Sequence, residues 1–304
     1  MLTAERAKTG PSNHLLEGDV HAFREQFNRT PFLLSHTLAS NPLFQLNRLL
    51  ELTKTTLRDR PTDVVYNAGD VKVEHRFRDA PPKVFSVEEA LQRIETAGAW
   101  IVLKRADQDP EYRAILEQCL SEAQGLIGKD LRSQMRVQEA IIFITSPNRI
   151  TNYHVDRECN FILQIHGEKT LYVFDQNDRD VLPEAEIERF WTVDNNAGEY
   201  KPQYQDRAKT FQLAPGNGVH VPVNAPHWLK NGNNISITLS VNFQFNDGVR
   251  ANLYRANYVI RKLRMTPVPP FQSPARDAVK RAILGVAWPS RKLVKWALKW
   301  AIPD

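Results

Sequence analysis

Residues 151–170 read TNYHVDRECNFILQIHGEKT. Inside this stretch the run Phe161-Ile162-Leu163-Gln164-Ile165 is too short for a helix and ends at a Gly167 turn. It predicts one of the short apolar strands of a sandwich or jelly roll. At the head of the run stand His154 and Asp156. Residues two apart on a strand share a face, so these two can aim an imidazole and a carboxylate at one point. A His-x-Asp pair also arises by chance, and two ligands do not make a catalytic metal site. The rest of the chain has to supply a third.

Downstream, EAIIFIT (139–145), KTLYVFD (169–175), TFQLAP (210–215), VHVPV (219–223) and ISITLSVNFQF (235–245) are short β-rich runs separated by Pro, Gly, Asn and Asp. Strands at this spacing predict a sandwich or jelly roll, with PEAEIERF (183–190) as the one helical candidate among them. The third ligand appears in GNGVHVPVNAPHW (216–228), where His227 lies 71 residues beyond Asp156. Two His and one carboxylate form the facial set of non-haem Fe(II) oxygenases, which leaves coordination positions open. His220 and His166 are read as structural. Cys159 is read as a small buried hydrophobe.

The upstream third mixes helix and strand. TPFLLSH (30–36) predicts a strand, and a helix opens near Asn41-Pro42. DVVYN and VKVEHRF predict strands flanking an Ala68-Gly69-Asp70 turn. Ser86 and Glu89 form a capping box for a helix closed by Gly98, WIVLK (100–104) is a buried strand, and Asp109-Pro110 starts a longer helix. That helix carries Tyr112, Ile115, Leu116, Cys119, Leu120 and Ala123 at helical period. The expected organisation is α+β with a mainly β core. Residues 1–135 hold helices and strands that buttress the barrel, 136–248 form the barrel, and 249–304 form a basic helical extension.

Residues 138–245 resemble the JmjC/cupin-like family of Fe(II)- and 2-oxoglutarate-dependent oxygenases, in the branch that contains the asparaginyl hydroxylase of hypoxia-inducible factor. The pattern T-x-x-H-x-D-x-x-x-N-F-x-x-Q-I-x-G-x-K is met by Thr151, His154, Asp156, Asn160, Phe161, Gln164, Ile165, Gly167 and Lys169. Gly216, Asn217, Pro222 and His227 meet the later G-[DN]-x-x-x-x-P-x-x-x-x-H, and Val241, Asn242 and Phe243 meet V-N-F. Many relatives carry Asp where this chain has Asn217. The resemblance implies a double-stranded β-helix with Fe(II) on His154, Asp156 and His227. It also implies 2-oxoglutarate gripped at its distal carboxylate by Lys169 and Thr151. Chemistry agrees for Lys169, because a dicarboxylate inside a closed barrel needs a cation. Asn160 and Asn242 stand either as groups orienting cosubstrate or as amides satisfying the barrel backbone.

With 304 residues, 42% hydrophobic and 25% charged, the chain reads as globular. Its two cysteines suit a reducing compartment, and no apolar stretch approaches the ~20 residues of a membrane span. A cytoplasmic protein is expected. The +5 net charge falls wholly in residues 276–304, which hold seven Lys/Arg against two Asp, leaving 33 of each sign before them. This distribution argues against a basic nucleic-acid-binding face on the body. In residues 290–304, Leu293, Trp296, Ala297, Trp300 and Ala301 share one helical face, and Lys292, Lys295 and Lys299 another. Such a helix fits either peripheral contact with an anionic membrane or packing on the body or a second subunit, as in a homodimer. The expected activity is hydroxylation of a substrate C–H bond with release of succinate and CO2. The substrate is left open among a protein side chain, a small molecule, a lipid headgroup and RNA. The alternatives are a non-oxygenase cupin, such as a metal-dependent isomerase or ligand-binding module, and a degenerate interaction protein.

Overall fold

Eight antiparallel strands between Met135 and Phe245 form the core of the structure, a computed structural model that describes residues 14–76 and 85–287. The first four are β5 (Met135–Thr145), β6 (Ile150–His154), β7 (Cys159–His166) and β8 (Lys169–Val173). They are followed by β9 (Lys209–Leu213), β10 (Asn217–Val221), β11 (His227–Asn231) and β12 (Ser236–Phe245). The smaller sheet runs β6-β11-β8-β9, and β5, β12, β7 and β10 are neighbours in the larger one. Successive strands therefore alternate between sheets except at β8 and β9, which pair within the smaller one, as in a double-stranded β-helix, the barrel that the sequence resemblance implies. Ile162, Leu171, Val173, Phe211, Leu213, Val219, Val221 and Leu229 fill the space between the sheets. Each such side chain contributes about 1.5–3 kcal/mol by leaving water.

The larger sheet is extended at both edges by the N-terminal third. β1 (Leu16–Glu17) and β2 (Phe32–His36) add beside β10, and β3 (Val64–Asn67) and β4 (Trp100–Leu103) add beside β5. The helices α1 (Val20–Gln26), α2 (Leu46–Asp59), α3 (Val87–Gln92) and α4 (Pro110–Ile127) complete this part. α4 starts where Asp109 accepts from the Glu111 N–H and ends on Gly128 at φ 72°. It buries Tyr112, Ile115, Leu116, Cys119, Leu120 and Ala123 along one face, as their spacing predicts. The Ser86/Glu89 capping box is present.

Three local expectations fail for identifiable reasons. The helix expected from Asn41-Pro42 is interrupted, because Asn41 caps only a 3-10 turn over Pro42–Phe44 and Gln45 is extended before α2. Gly98 does not close α3, which ends at Arg93 five residues earlier, and the chain between them runs through turns. Residues 71–76 form no strand, since β3 pairs with β4 instead. They lie along β6, where the Tyr153 N–H donates to the Val73 carbonyl and the Asn152 amide to that of Lys72.

Contacts divide the chain into two compact units, one of residues 1–176 and 200–245 and one of residues 177–199 and 246–304. The second is helical, with α5 (Glu184–Thr192), α6 (Gly248–Lys262) and α7 (Pro274–Ala287). Within it Arg261 grips the fully buried Glu188 through two bonds of 2.6 and 3.0 Å. Trp191 stacks on Tyr254. No helix among the described residues is long and apolar enough to cross a membrane. The helix expected over 290–304 lies outside the described residues.

Candidate active site

His154 is the last residue of β6 and His227 the first of β11, and the two are directly opposite in the sheet register. Their rings lie 4.1 Å apart between centroids. Asp156 follows β6 by two residues, so the shared-face argument of a continuous strand does not place it. It is held instead by the Asn224 N–H, which donates to the Asp156 carbonyl at 3.0 Å just upstream of His227. The result is a tight cluster. Asp156 Oδ2 lies 3.7 Å from Nε2 of His154 and 3.7 Å from Nε2 of His227. Among the described residues this is the one group of three or more His, Cys, Asp or Glu placed to hold a metal ion.

Each imidazole is oriented in the same way. His154 Nδ1 lies 2.7 Å from the Asn152 carbonyl and His227 Nδ1 lies 2.9 Å from that of Ala225, in each case the residue two before it. A carbonyl only accepts, so Nδ1 carries the hydrogen and Nε2 keeps its lone pair, pointed toward Asp156. Burial, with His154 adding to it, lowers the His227 pKa to about 4. The ring is therefore neutral, the form that binds metal.

Thr151 reaches the same cavity through an irregularity that spacing alone conceals. It lies three residues before His154, which on a regular strand would put the two on opposite faces. Two steps along β11, from His227 to Leu229, match three along β6, from His154 back to Thr151. This bulge returns Thr151 to the inner face. Its Oγ1 accepts from the Trp100 indole at 3.1 Å.

Lys169 opens β8, one turn after Gly167. That turn requires glycine, since φ is 71° and an added Cβ would fall 2.0 Å from both the Ile235 carbonyl oxygen and Asn234 Oδ1. Gln164 braces it by donating to the carbonyls of His166 and Gly167 and to Ser236, while accepting from Thr238. Lys169 is 5% exposed and has no hydrogen bond or ion pair to its ammonium among the described residues. Burial alone lowers its pKa to about 7. A buried, unpaired cation is costly, and a resident anion would offset that cost.

One cavity brings together Thr151, His154, Asp156, Asn160, Lys169, His227 and Asn242, all seven residues singled out in the sequence. Asn160 and Asn242 face each other across β7 and β12. Asn242 Oδ1 accepts from Ser240 at 2.6 Å, whereas the buried Asn160 Oδ1 has no partner among the described residues. Trp100, Phe143, Thr238 and Ser240 also line the cavity. They carry no motif; the hints in the sequence are the buried-strand reading of WIVLK for Trp100 and strand alternation on β5 and β12 for the other three. His220 lies elsewhere, stacked on Phe27, with Nε2 accepting from the Asn28 N–H and Nδ1 donating to the Asn160 carbonyl. His166 is exposed, and Cys119 and Cys159 are buried free thiols.

No family model and no curated protein matches the chain. Solved structures do. One of the ribosomal oxygenase YcfD from Escherichia coli is 13% identical with a TM-score of 0.44, covering 90% of this chain and 67% of that one. A second, of YcfD with cobalt and 2-oxoglutarate, is 16% identical with a TM-score of 0.46, covering 89% of this chain and 66% of the other. The chain thus spans about two thirds of the length of these structures.

Proposed function

We propose that this chain is an Fe(II)- and 2-oxoglutarate-dependent oxygenase that hydroxylates a C–H bond of its substrate, with release of succinate and CO2. One observation carries the reading: a three-ligand metal donor set and a buried lysine with no counter-ion among the described residues share a single cavity. The donor set fits a divalent ion, with two neutral Nε2 atoms and one carboxylate converging and no fourth protein ligand in the group to close the coordination sphere. Lys169 fits the far carboxylate of a 2-oxo dicarboxylate chelated at the metal. Along β11 the register runs from His154 opposite His227 to Lys169 opposite Asn231. That is four residues, or about 14 Å of strand. The lysine stem and a five-carbon diacid can span it together.

Under this reading His154, Asp156 and His227 hold the ion, Lys169 and Thr151 hold the distal carboxylate, and Asn160 and Asn242 orient the cosubstrate. Trp100, Phe143, Ile162 and Leu229 keep the cavity apolar between the polar ends and limit water there. Iron bound at this site supplies oxygen activation coupled to decarboxylation of the cosubstrate. A cupin isomerase or ligand-binding module has no use for a buried lysine in the same cavity as the metal donor set, which is why the oxygenase is preferred. The test is anaerobic titration of the Fe(II)-loaded protein with 2-oxoglutarate, followed by admission of oxygen and assay of succinate. Saturable binding, and succinate that disappears in Asp156→Ala, is the expected result. Metal binding without 2-oxoglutarate binding overturns it.

A further inference from the structure

We propose that Trp100, which belongs to β4 and not to the eight barrel strands, is a positioning residue for the cosubstrate. It acts through Thr151 by fixing that hydroxyl as a donor into the anion end of the cavity. This inference rests on the function proposed above. An indole N–H can only donate, so the 3.1 Å contact from Trp100 Nε1 to Thr151 Oγ1 has one possible polarity. A threonine hydroxyl has a single hydrogen, and with one lone pair taken by the indole that hydrogen must find an acceptor elsewhere. No residue among those described supplies one.

Trp100, Thr151 and Lys169 all line the one cavity. In the register of the smaller sheet Thr151 stands opposite Leu229, and Lys169 stands opposite Asn231 on the other flank of β11. The two donors therefore flank one strand, offset by about 7 Å along it. The wall is braced at the same level. Trp100 pairs with Thr145 across β4 and β5, and the Asn231 amide donates to Thr145 Oγ1 at 2.7 Å and to the Ser146 carbonyl at 2.8 Å. Trp100 is 8% exposed and packs against Phe143, so its ring has little freedom to release the bond. Without the indole the Thr151 hydroxyl is free to turn and act as an acceptor. With it, one lone pair is occupied and the hydroxyl hydrogen is turned away from the indole, so this end of the cavity favours an acceptor such as a carboxylate.

The experiment titrates Zn(II)-loaded protein calorimetrically with two ligands of equal length, 2-oxoglutarate and 2-oxopentanoate, which lacks the distal carboxylate. The proteins are wild type, Trp100→Phe, Thr151→Val and the double variant. Trp100→Phe is expected to weaken 2-oxoglutarate about fivefold, the scale of one hydrogen bond, and to leave 2-oxopentanoate within about twofold. The double variant is expected to bind no more weakly than Thr151→Val. Equal losses for both ligands, no loss for either, or additive losses in the double variant overturn the inference. A second readout needs no variant, because the Trp100 indole 15N–H resonance should shift with 2-oxoglutarate and stay in place with 2-oxopentanoate. A resonance that stays in place with both, or moves equally with both, also overturns it. Wild-type protein that binds zinc but not 2-oxoglutarate overturns the proposed function itself, whereas intact binding that Trp100→Phe does not disturb removes only the role of Trp100.

Discussion

Lys169 has no partner among the described residues, at a site where its ammonium is worth more to a ligand than to the fold. Replacing it with Met should raise the thermal midpoint of the ligand-free protein by a few degrees, since a desolvated amine gives way to a packed side chain. The same change should weaken 2-oxoglutarate about 100-fold by calorimetry. Its titration carries a sign. The folded pKa of about 7 lies below the ordinary 10.5, so the unfolded chain binds more protons between these values. The lysine therefore costs the ligand-free fold most below about pH 7, and that cost fades as pH rises toward 10.5. Affinity for the dianion should fall above pH 7 as the ammonium loses its proton. His36 and His220 act at the acid end. Burial lowers them to about 4 and 3 against an ordinary 6.5, so each erodes stability as pH drops below 6.5. Urea midpoints measured between pH 7.5 and 4.5 should decline, and less so in a His36→Gln variant. His220→Leu should cost about 2–4 kcal/mol, because it leaves the Asn28 N–H and the Asn160 carbonyl without their ring partner.

At the scale of elements, the site is assembled by two departures from regular strands. The bulge in β6 turns Thr151 inward, and the Gly167 turn starts β8 so that Lys169 is its first residue. Gly167→Ala meets a Cβ position 2.0 Å from backbone and side-chain oxygen at a left-handed φ. It should cost about 3 kcal/mol in urea unfolding and weaken 2-oxoglutarate more than metal, since the lysine moves and the triad does not. These departures also mark where the sequence was readable. Buried strands such as β7 and the capped helices α3 and α4 announce themselves through composition and period. His154 and His227 were visible as residue types, and the resemblance paired them with Lys169. Alternation could not reveal that Asp156 lies beyond its strand, or that Thr151 needs an extra residue to face inward, because bulges follow from pairing with a partner strand. Trp100 was legible only as a buried strand residue. Its bond to Thr151 joins positions 51 apart in the chain. The strand expected over 71–77 is absent from the described residues 71–76 for a related reason, as β3 found its partner in β4.

For the molecule as a whole, the excursion of residues 177–199 between β8 and β9 contributes α5 to the helical unit. There Glu188 is 0% exposed and depends on Arg261 for its charge partner. Arg261→Ala should destabilise that unit by about 3 kcal/mol through the stranded carboxylate, seen as faster amide exchange over α5 and α6. Glu188→Gln combined with Arg261→Met should recover most of the loss.

The opposed histidines carry one more consequence. β6 is the terminal strand of its sheet: β11 is its one strand partner, and on its other side it takes only isolated bonds to Lys72 and Val73. An ion shared by His154 on β6 and His227 on β11 would act as a clasp on that last strand, fastening it where the ladder stops. Loading with metal should then slow deuterium uptake along β6 while scarcely touching the interior strand β8, and a chelator should loosen the outermost rung first.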